Sequence, residues 1–239
     1  MQSTHTLVFA LLALLVVGCE DPKQSSSHRQ ATSSVSAPEP PKRKTPTVPA
    51  DVSYSIIEST AFRDLKRSLT IRLNKRVSEE TLRALAVELK SKDPKKYKRT
   101  FIAYYLPDMQ VGAGAWATTH YNPHMEIKIL GLTIDQEKAL KQQPSDPSRK
   151  IIGRWIDDRP HVGHKITVFR NGRKVYWENF FPDGSSNLKE VISKPSPIGR
   201  KILDKGGNDF GEYYVVGKDG HLQMRDKDGI FYTAKKITD

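Results

Sequence analysis

The stretch "MQVGAGAWATTHYNPHM" at residues 109–125 holds the side chains best suited to chemistry or to ligand binding. Its two glycines allow a tight turn or a close approach of the backbone to a ligand. A histidine beside threonine hydroxyls can act as a general base when the groups lie within hydrogen-bond reach. The sequence therefore places a candidate ligand loop here, formed by Gly112, Gly114, Trp116, Thr118, Thr119 and His120.

The two histidines of this stretch, His120 and His124, stand four residues apart. On a helix, that spacing brings both rings to one face, where they can bind a metal ion. Pro123 lies between them, and the surrounding residues alternate in the manner of a strand, so the helical arrangement is not predicted. The sequence predicts no metal site and no cofactor.

The densest basic run is "KSKDPKKYKR" at residues 90–99, in a chain of net charge +12. A basic surface attracts polyanions, and the run defines a candidate polyanion patch. Outside the cytoplasm its partners are expected to be anionic lipids or acidic envelope polymers, and no nucleic acid is expected. The alternatives are a contact with a protein partner or a solvated surface without a ligand. The patch consists of Lys92, Lys95, Lys96 and Lys98.

The only cysteine of the chain, Cys19, follows a run of 11 apolar residues at positions 7–17. A helix that crosses a bilayer needs about 20 such residues, so the run is too short for a membrane span. It has the length of the apolar core of a secretory signal peptide, and Gly18 supplies the small residue before a cleavage site. A single cysteine allows no disulfide within the chain and argues against a redox role.

The sequence "VVGC" at residues 16–19 resembles the lipobox of bacterial lipoproteins. The resemblance implies a signal peptide over residues 1–18 and a mature chain that begins at Cys19. The thiol of Cys19 would carry a diacylglycerol with acyl chains such as palmitate. This lipid would hold the protein on a membrane of the cell envelope, facing the periplasm or the exterior. Glu20 follows the cysteine instead of aspartate, which favours the outer membrane.

Composition divides the rest of the chain into three parts and a linker. Residues 19–50 contain the lipidated cysteine and a Ser, Pro and Lys-rich tether, whose composition is typical of disordered segments. An α+β domain is predicted over residues 51–141. A Pro and Ser-containing linker occupies residues 142–150, and a small antiparallel β domain is predicted over residues 151–239.

The first domain is predicted as a β-α-β-β-β sheet with a helix on one face. The stretch "SLTIRLNKRV" at residues 68–77 alternates like a half-buried strand. Ser78 can cap the helix that follows, and Leu82, Leu85 and Leu89 fall on one helical face. Three further strands are expected between residues 99 and 132, and a short helix over residues 132–143.

The second domain is predicted as a meander of seven or eight short strands that curls into a small barrel. Asn171-Gly172 is a strong hairpin signal, because both residues tolerate a positive φ. The Gly-x-Trp of Gly153 and Trp155 resembles the opening motif of lipocalin-type barrels, although the domain is short for that family. Other segments, such as "RTFIAYYLPDM", resemble uncharacterised bacterial proteins, and this resemblance implies no function.

These patterns favour a lipid-anchored envelope protein whose domains act as binding or structural modules and not as an enzyme. One alternative is a hydrolase with its site in the loop at residues 112–124, with His120 as the base. Another is a carrier that binds an apolar ligand in the C-terminal β domain.

Overall fold

The computed structural model of the chain describes residues 47–144 and 146–238. Cys19, the predicted signal peptide and most of the predicted tether lie outside the described residues. The described residues form a five-stranded mixed sheet with a helix, followed by a closed eight-stranded antiparallel barrel. The expected combination of a sheet-plus-helix part and a barrel-like part is therefore confirmed.

The first part of the described chain is a sheet whose five strands lie side by side in chain order. Its elements are β1 (Tyr54–Phe62), β2 (Lys66–Leu73), α1 (Glu79–Ser91), β3 (Arg99–Tyr105), β4 (Ala117–Tyr121) and β5 (Met125–Ile129). Strands β2 and β3 run parallel and are joined through α1, whereas the other neighbours are antiparallel. The parallel pair brings the starts of β2 and β3 to the same end of the sheet.

Strand β1 precedes the strands that the sequence pattern predicts, so the order β-α-β-β-β is corrected to β-β-α-β-β-β. The strand forms an edge of the sheet, and all but its first residue are exposed. Exposure on both faces removes the alternation of apolar and polar residues that marks a half-buried strand. A register shift against β2 between Ile56 and Glu58 further breaks the two-residue period.

Helix α1 packs on one face of the sheet and joins the apolar core there. The hydroxyl of Ser78 caps the helix by accepting a hydrogen bond of 3.2 Å from the backbone N–H of Thr81. Each large apolar side chain buried in this way contributes about 1.5–3 kcal/mol to stability. The helix face predicted from the sequence is the buried one and includes Leu82, Leu85, Ala86 and Leu89.

The opposite face of the sheet carries polar and aromatic side chains that are half-buried. Ser68, Phe101 and His120 are neighbours across β2, β3 and β4 on this face. Because alternate residues of a strand point to the same face, the face continues to Lys66 and Arg99 at the starts of β2 and β3.

The second part is an antiparallel barrel in which each strand pairs with the next along the chain. Strand β13 closes the barrel on β6 through the pairs Lys235 with Ile156 and Lys236 with Trp155. This strand number and order are those of up-and-down barrels, to which lipocalin-type barrels belong. The strands are β6 (Lys150–Asp157), β7 (His164–Asn171), β8 (Lys174–Phe180), β9 (Ser186–Ser196), β10 (Gly199–Asp204), β11 (Tyr213–Val216), β12 (Leu222–Asp226) and β13 (Gly229–Lys236).

The Gly-x-Trp sequence of β6 has a direct packing explanation. The buried indole of Trp155 lies over Gly153, where an added Cβ would overlap the six-membered ring. The indole N–H also donates a hydrogen bond of 2.8 Å to the carbonyl of Gly220. The residues packed with this indole in the barrel core are Ile166, Val168, Val175, Trp177, Val191, Ile202, Leu222, Met224 and Ala234.

Helix α2 (Ile134–Gln142) connects the sheet to the barrel. Leu132, Leu140 and Ile156 form a buried apolar cluster between the two parts. The backbone N–H of His161 in the barrel donates a hydrogen bond of 2.7 Å to the carbonyl of Leu130, just after β5. The barrel therefore packs against the end of the sheet where β2 and β5 finish, which we call the barrel end.

The described chain also enters the sheet at the barrel end. The backbone N–H of Asn74 donates a hydrogen bond of 3.0 Å to the carbonyl of Ser53. In return, the backbone N–H of Ser53 donates one of 3.0 Å to the side-chain Oδ1 of Asn74. From there β1 runs the length of the sheet to its turn with β2. Entry and turn therefore lie at opposite ends of the sheet.

Candidate functional site

The end of the sheet opposite the barrel is strongly basic. Two segments meet there, the β1–β2 turn at residues 62–67 and the α1–β3 connection at residues 90–99, and together we call them the basic tip. The N–H of Lys98 donates to the carbonyl of Asp64 at 2.9 Å, and the N–H of Arg99 donates to that of Leu65 at 3.0 Å. These bonds hold nine basic and two acidic residues together at one end of the molecule.

Two of the nine cations are bound to carboxylates. Arg67 pairs with Asp93 at 3.3 Å and also donates to the carbonyl of Leu89. Lys92 pairs with Glu88 at 2.8 Å. Within the described part of the chain the other seven make no ion pair, and they are Arg63, Lys66, Lys90, Lys95, Lys96, Lys98 and Arg99.

Asp93 organises the α1–β3 connection. One carboxylate oxygen accepts a hydrogen bond of 3.0 Å from the N–H of Lys95, and the other accepts one of 3.1 Å from the hydroxyl of Tyr97. The backbone bond from Lys95 is the main cause that holds the pKa of Asp93 below its ordinary value. The loop is thus fixed around one ionised carboxylate, while Lys96 and Lys98 remain exposed.

Lys92 differs from the rest of the predicted patch. Hydrogen bonds from its ammonium to Glu88 and then to Tyr54 raise the pKa of Lys92 above its ordinary value. Its charge is therefore offset by a neighbouring carboxylate, whereas no carboxylate of the described residues pairs with Lys95, Lys96 or Lys98. The structure brings the four lysines to one region but leaves three of them available for an anionic ligand.

The predicted ligand loop is distributed over three environments. Gly112 and Gly114 have φ of 94° and 108° and lie in the connection before β4, at the barrel end, where Gly114 approaches Pro160. Trp116 is fully buried, and its indole N–H donates to the carbonyl of Leu132 at 3.0 Å. The two glycines therefore belong to a turn beside the barrel, and Trp116 belongs to the apolar core of the sheet.

The polar residues of the same stretch alternate along β4. The hydroxyl of Thr119 is buried under α1 and donates to the hydroxyl of Tyr104 at 3.2 Å. Thr118 and His120 lie on the opposite face of the sheet, where the imidazole packs edge-on against Phe101 at 4.7 Å between ring centres. The structure therefore brings Thr118 and His120 to one face but separates both from Trp116 and Thr119.

A cleft of about 760 Å³ lies between the sheet and the barrel, at the barrel end. The loop at residues 106–114 forms one wall, and β13 forms the other. Arg76 crosses its base and pairs with both Glu137 and Asp158. Three further cations of the lining are also paired, Lys141 with Glu137, Arg159 with Asp157 and Lys235 with Asp108. Of the lining cations, only Lys236 makes no ion pair with a described residue, so most of the charges in this cleft neutralise one another.

The sequence pattern missed the contribution of Arg63, Lys66 and Arg67 to the basic tip. A signal for it existed, because a strand, a helix and a second strand in succession predict a parallel pair. In a parallel pair the residues before both strands meet at one end of the sheet. The turn "FRDLKR" at residues 62–67 could therefore have been assigned to the same site as the run at residues 90–99.

Comparisons with known proteins do not assign this site. A scan against protein-family models, a search of curated proteins and a search of solved structures each find no match. Among residues 47–144 and 146–238, no helix is long and apolar enough to span a membrane. Within the same ranges, no group of three or more His, Cys, Asp and Glu side chains is arranged to hold a metal ion.

Proposed function

We propose that the chain is a lipid-anchored envelope lipoprotein whose folded part is a non-catalytic binding module that docks on an anionic surface through the basic tip. The observation that carries this proposal is the set of seven cations at the tip that make no ion pair with a described residue. Exposed like charges repel one another, and an anionic surface relieves that repulsion. The lipobox of residues 16–19 supports the anchor.

The placement of the other candidate residues supports a binding module over the two alternatives. A hydrolase needs its base beside an activated group in a concave site, whereas His120 lies on a sheet face and does not line the cleft at the barrel end. A carrier needs an internal cavity, whereas Trp155 and Trp177 are buried in a cluster of apolar side chains in the barrel core.

Vesicle binding tests the proposed site. In a Cys19→Ser chain expressed without residues 1–18, which lacks both the lipid and the apolar leader and is called the Cys19→Ser chain below, the triple change Lys95→Gln, Lys96→Gln and Lys98→Gln should weaken binding to phosphatidylglycerol vesicles by up to about 3 kcal/mol, since each lysine near an anionic membrane contributes roughly 1 kcal/mol. Binding should also weaken with salt, because the Debye length is only about 8 Å at physiological ionic strength. Sedimentation with vesicles measures both effects.

The matched control removes the same charge from exposed lysines elsewhere, by Lys138→Gln, Lys194→Gln and Lys218→Gln. This variant should keep most of the affinity. Equal losses in the two triple variants, or binding that does not respond to salt, would contradict the tip as the docking site.

The anchor has its own test. In the full chain, the Cys19→Ser change should abolish palmitate labelling. The folded part should keep its circular dichroism spectrum. Palmitate labelling that persists in the serine variant would overturn the lipoprotein assignment.

A further inference from the structure

We propose that Phe62 and Leu65, at the β1–β2 turn of the basic tip, insert into the headgroup region of an anionic bilayer while the surrounding cations bind its phosphates. This inference rests on the proposed function and narrows the anionic surface to a lipid membrane. It gives a role to the two exposed apolar side chains, which the charge of the basic tip does not explain.

The turn presents both apolar side chains to solvent. Phe62 is 61% exposed and Leu65 is 38% exposed, although both are large and apolar. The N–H of Leu65 donates to the carbonyl of Phe62 at 3.1 Å, which closes a four-residue turn. The first and fourth residues of such a turn lie within about 7 Å between their Cα atoms, so the turn brings the two exposed apolar residues next to each other, and together we call them the apolar patch.

Cations surround this patch. Arg63 lies within the turn, and its guanidinium is 5.6 Å from the centre of the Phe62 ring. Lys66 is the first residue after the turn. The hydrogen bonds from residues 98 and 99 to the turn place Lys98 and Arg99 beside it. An apolar patch ringed by unpaired cations is the composition that favours binding at the interface of an anionic membrane.

A bilayer fits this arrangement better than a soluble polyanion does. The cations can bind either partner, because both offer anionic groups. Exposed Phe and Leu side chains gain free energy only where an apolar phase is available to them. The apolar patch therefore favours a membrane surface over an acidic polymer.

Another exposed aromatic residue of the chain provides the contrast. Phe210 is 79% exposed in the connection between β10 and β11 of the barrel, and its neighbours include Asp209 and Glu212. It has the apolar side chain without the cationic surroundings. Phe210 therefore serves as a matched control for Phe62.

Fluorescence tests the insertion in the Cys19→Ser chain. The native indoles of Trp116, Trp155 and Trp177 are buried, so a tryptophan at position 62 reports on its own surroundings. In the Phe62→Trp variant, phosphatidylglycerol vesicles with brominated acyl chains should quench the new emission and shift it to the blue. The Phe210→Trp control should show neither change.

A second pair of measurements separates insertion from charge. The double change Phe62→Ser and Leu65→Ser should weaken binding to phosphatidylglycerol vesicles about tenfold, and should leave binding to dextran sulfate, a soluble polyanion, unchanged. Both positions are exposed, so the two changes should leave the fold intact, and circular dichroism checks this.

The outcomes distinguish this inference from the function on which it rests. Salt-sensitive vesicle binding without quenching at position 62 would overturn insertion and leave the anionic docking site in place. Equal weakening on vesicles and on dextran sulfate would overturn insertion as well. Loss of vesicle binding in the parent Cys19→Ser chain itself would overturn the docking function.

Discussion

The barrel end of the sheet and the basic tip differ in how their cations are partnered. At the barrel end, the side chain of Arg76 is only 10% exposed and pairs with Glu137 and, at 2.7 Å, with Asp158. At the tip, Lys96 and Lys98 are exposed and pair with no described carboxylate. The same types of side chain therefore stabilise the fold at one end and stay available for a ligand at the other.

The largest expected effect concerns Arg76. The Arg76→Met change removes the cation between two carboxylates, which leaves Asp158 without its ion pair and Glu137 with Lys141 alone. Breaking a buried ion pair in this way costs several kcal/mol, and we expect a loss of about 3 kcal/mol, because Glu137 and Asp158 retain some solvent contact. Urea unfolding measures the free energy of unfolding.

The control for Arg76 is an exposed pair on α1. Arg83 and Glu79 lie 3.3 Å apart with both side chains well exposed, so Arg83→Met should cost less than about 1 kcal/mol. Similar losses for the two variants would show that the Arg76 pairs do not hold the sheet and the barrel together.

The next effect is a dependence of stability on pH at the barrel end. Burial acts to raise the pKa of the Glu137 carboxyl, but Lys141 and Arg76 hold that pKa below its ordinary value. The folded chain therefore binds this proton less readily than the unfolded chain does. The resulting stability is complete above the unfolded pKa of about 4.3 and is lost as the pH falls through the lower, folded pKa.

Unfolding by urea between about pH 6 and about pH 3 measures this dependence. The Glu137→Gln variant should lose less stability over that range than the parent chain does, because it has no carboxyl to protonate. The difference should be smaller than the effect of Arg76→Met, since protonation of Glu137 leaves the pair with Asp158 in place. Parallel curves for the two chains would exclude Glu137 as a source of acid sensitivity.

The smallest effect compares two lysines of the tip. Lys98 makes no ion pair with a described residue, whereas Lys92 is paired with Glu88. In the Cys19→Ser chain, Lys98→Gln should weaken binding to phosphatidylglycerol vesicles by about 1 kcal/mol, and Lys92→Gln by clearly less. Equal losses would mean that net charge decides binding and that pairing within the protein does not.

Local patterns predicted much of the fold because those elements are stabilised by neighbours in sequence. The capped helix α1 and the alternating strand β2 show clear periods, and the turn at Asn171-Gly172 does join β7 to β8. Strand β1 gave no such signal, since an exposed edge strand does not need alternating residues. Closure of the barrel depends on the pairing of β13 with β6, about 80 residues apart, which no local period specifies.

The candidate site was predictable in part for a related reason. The lysines of residues 90–99 stand together in sequence, so their clustering was visible. Their separation into paired and unpaired members depends on Glu88, one helical turn before Lys92, whereas no carboxylate among the described residues pairs with Lys98. In the stretch with Trp116, side chains that are close in sequence point to opposite faces of β4 or into the core, so proximity in sequence did not produce one site.

Entry of the chain at the barrel end, opposite the tip, sets the geometry of attachment. Strand β1 spans about 30 Å at roughly 3.3 Å per residue, so the tip lies about that far from the point where the described chain enters the sheet. Under the proposed function, the lipid would precede the entry point and the tip would bind the same bilayer, so that the sheet would lie along the membrane. Each of these two proposed contacts would then raise the effective concentration of the other, and two weak attachments would act as one strong one.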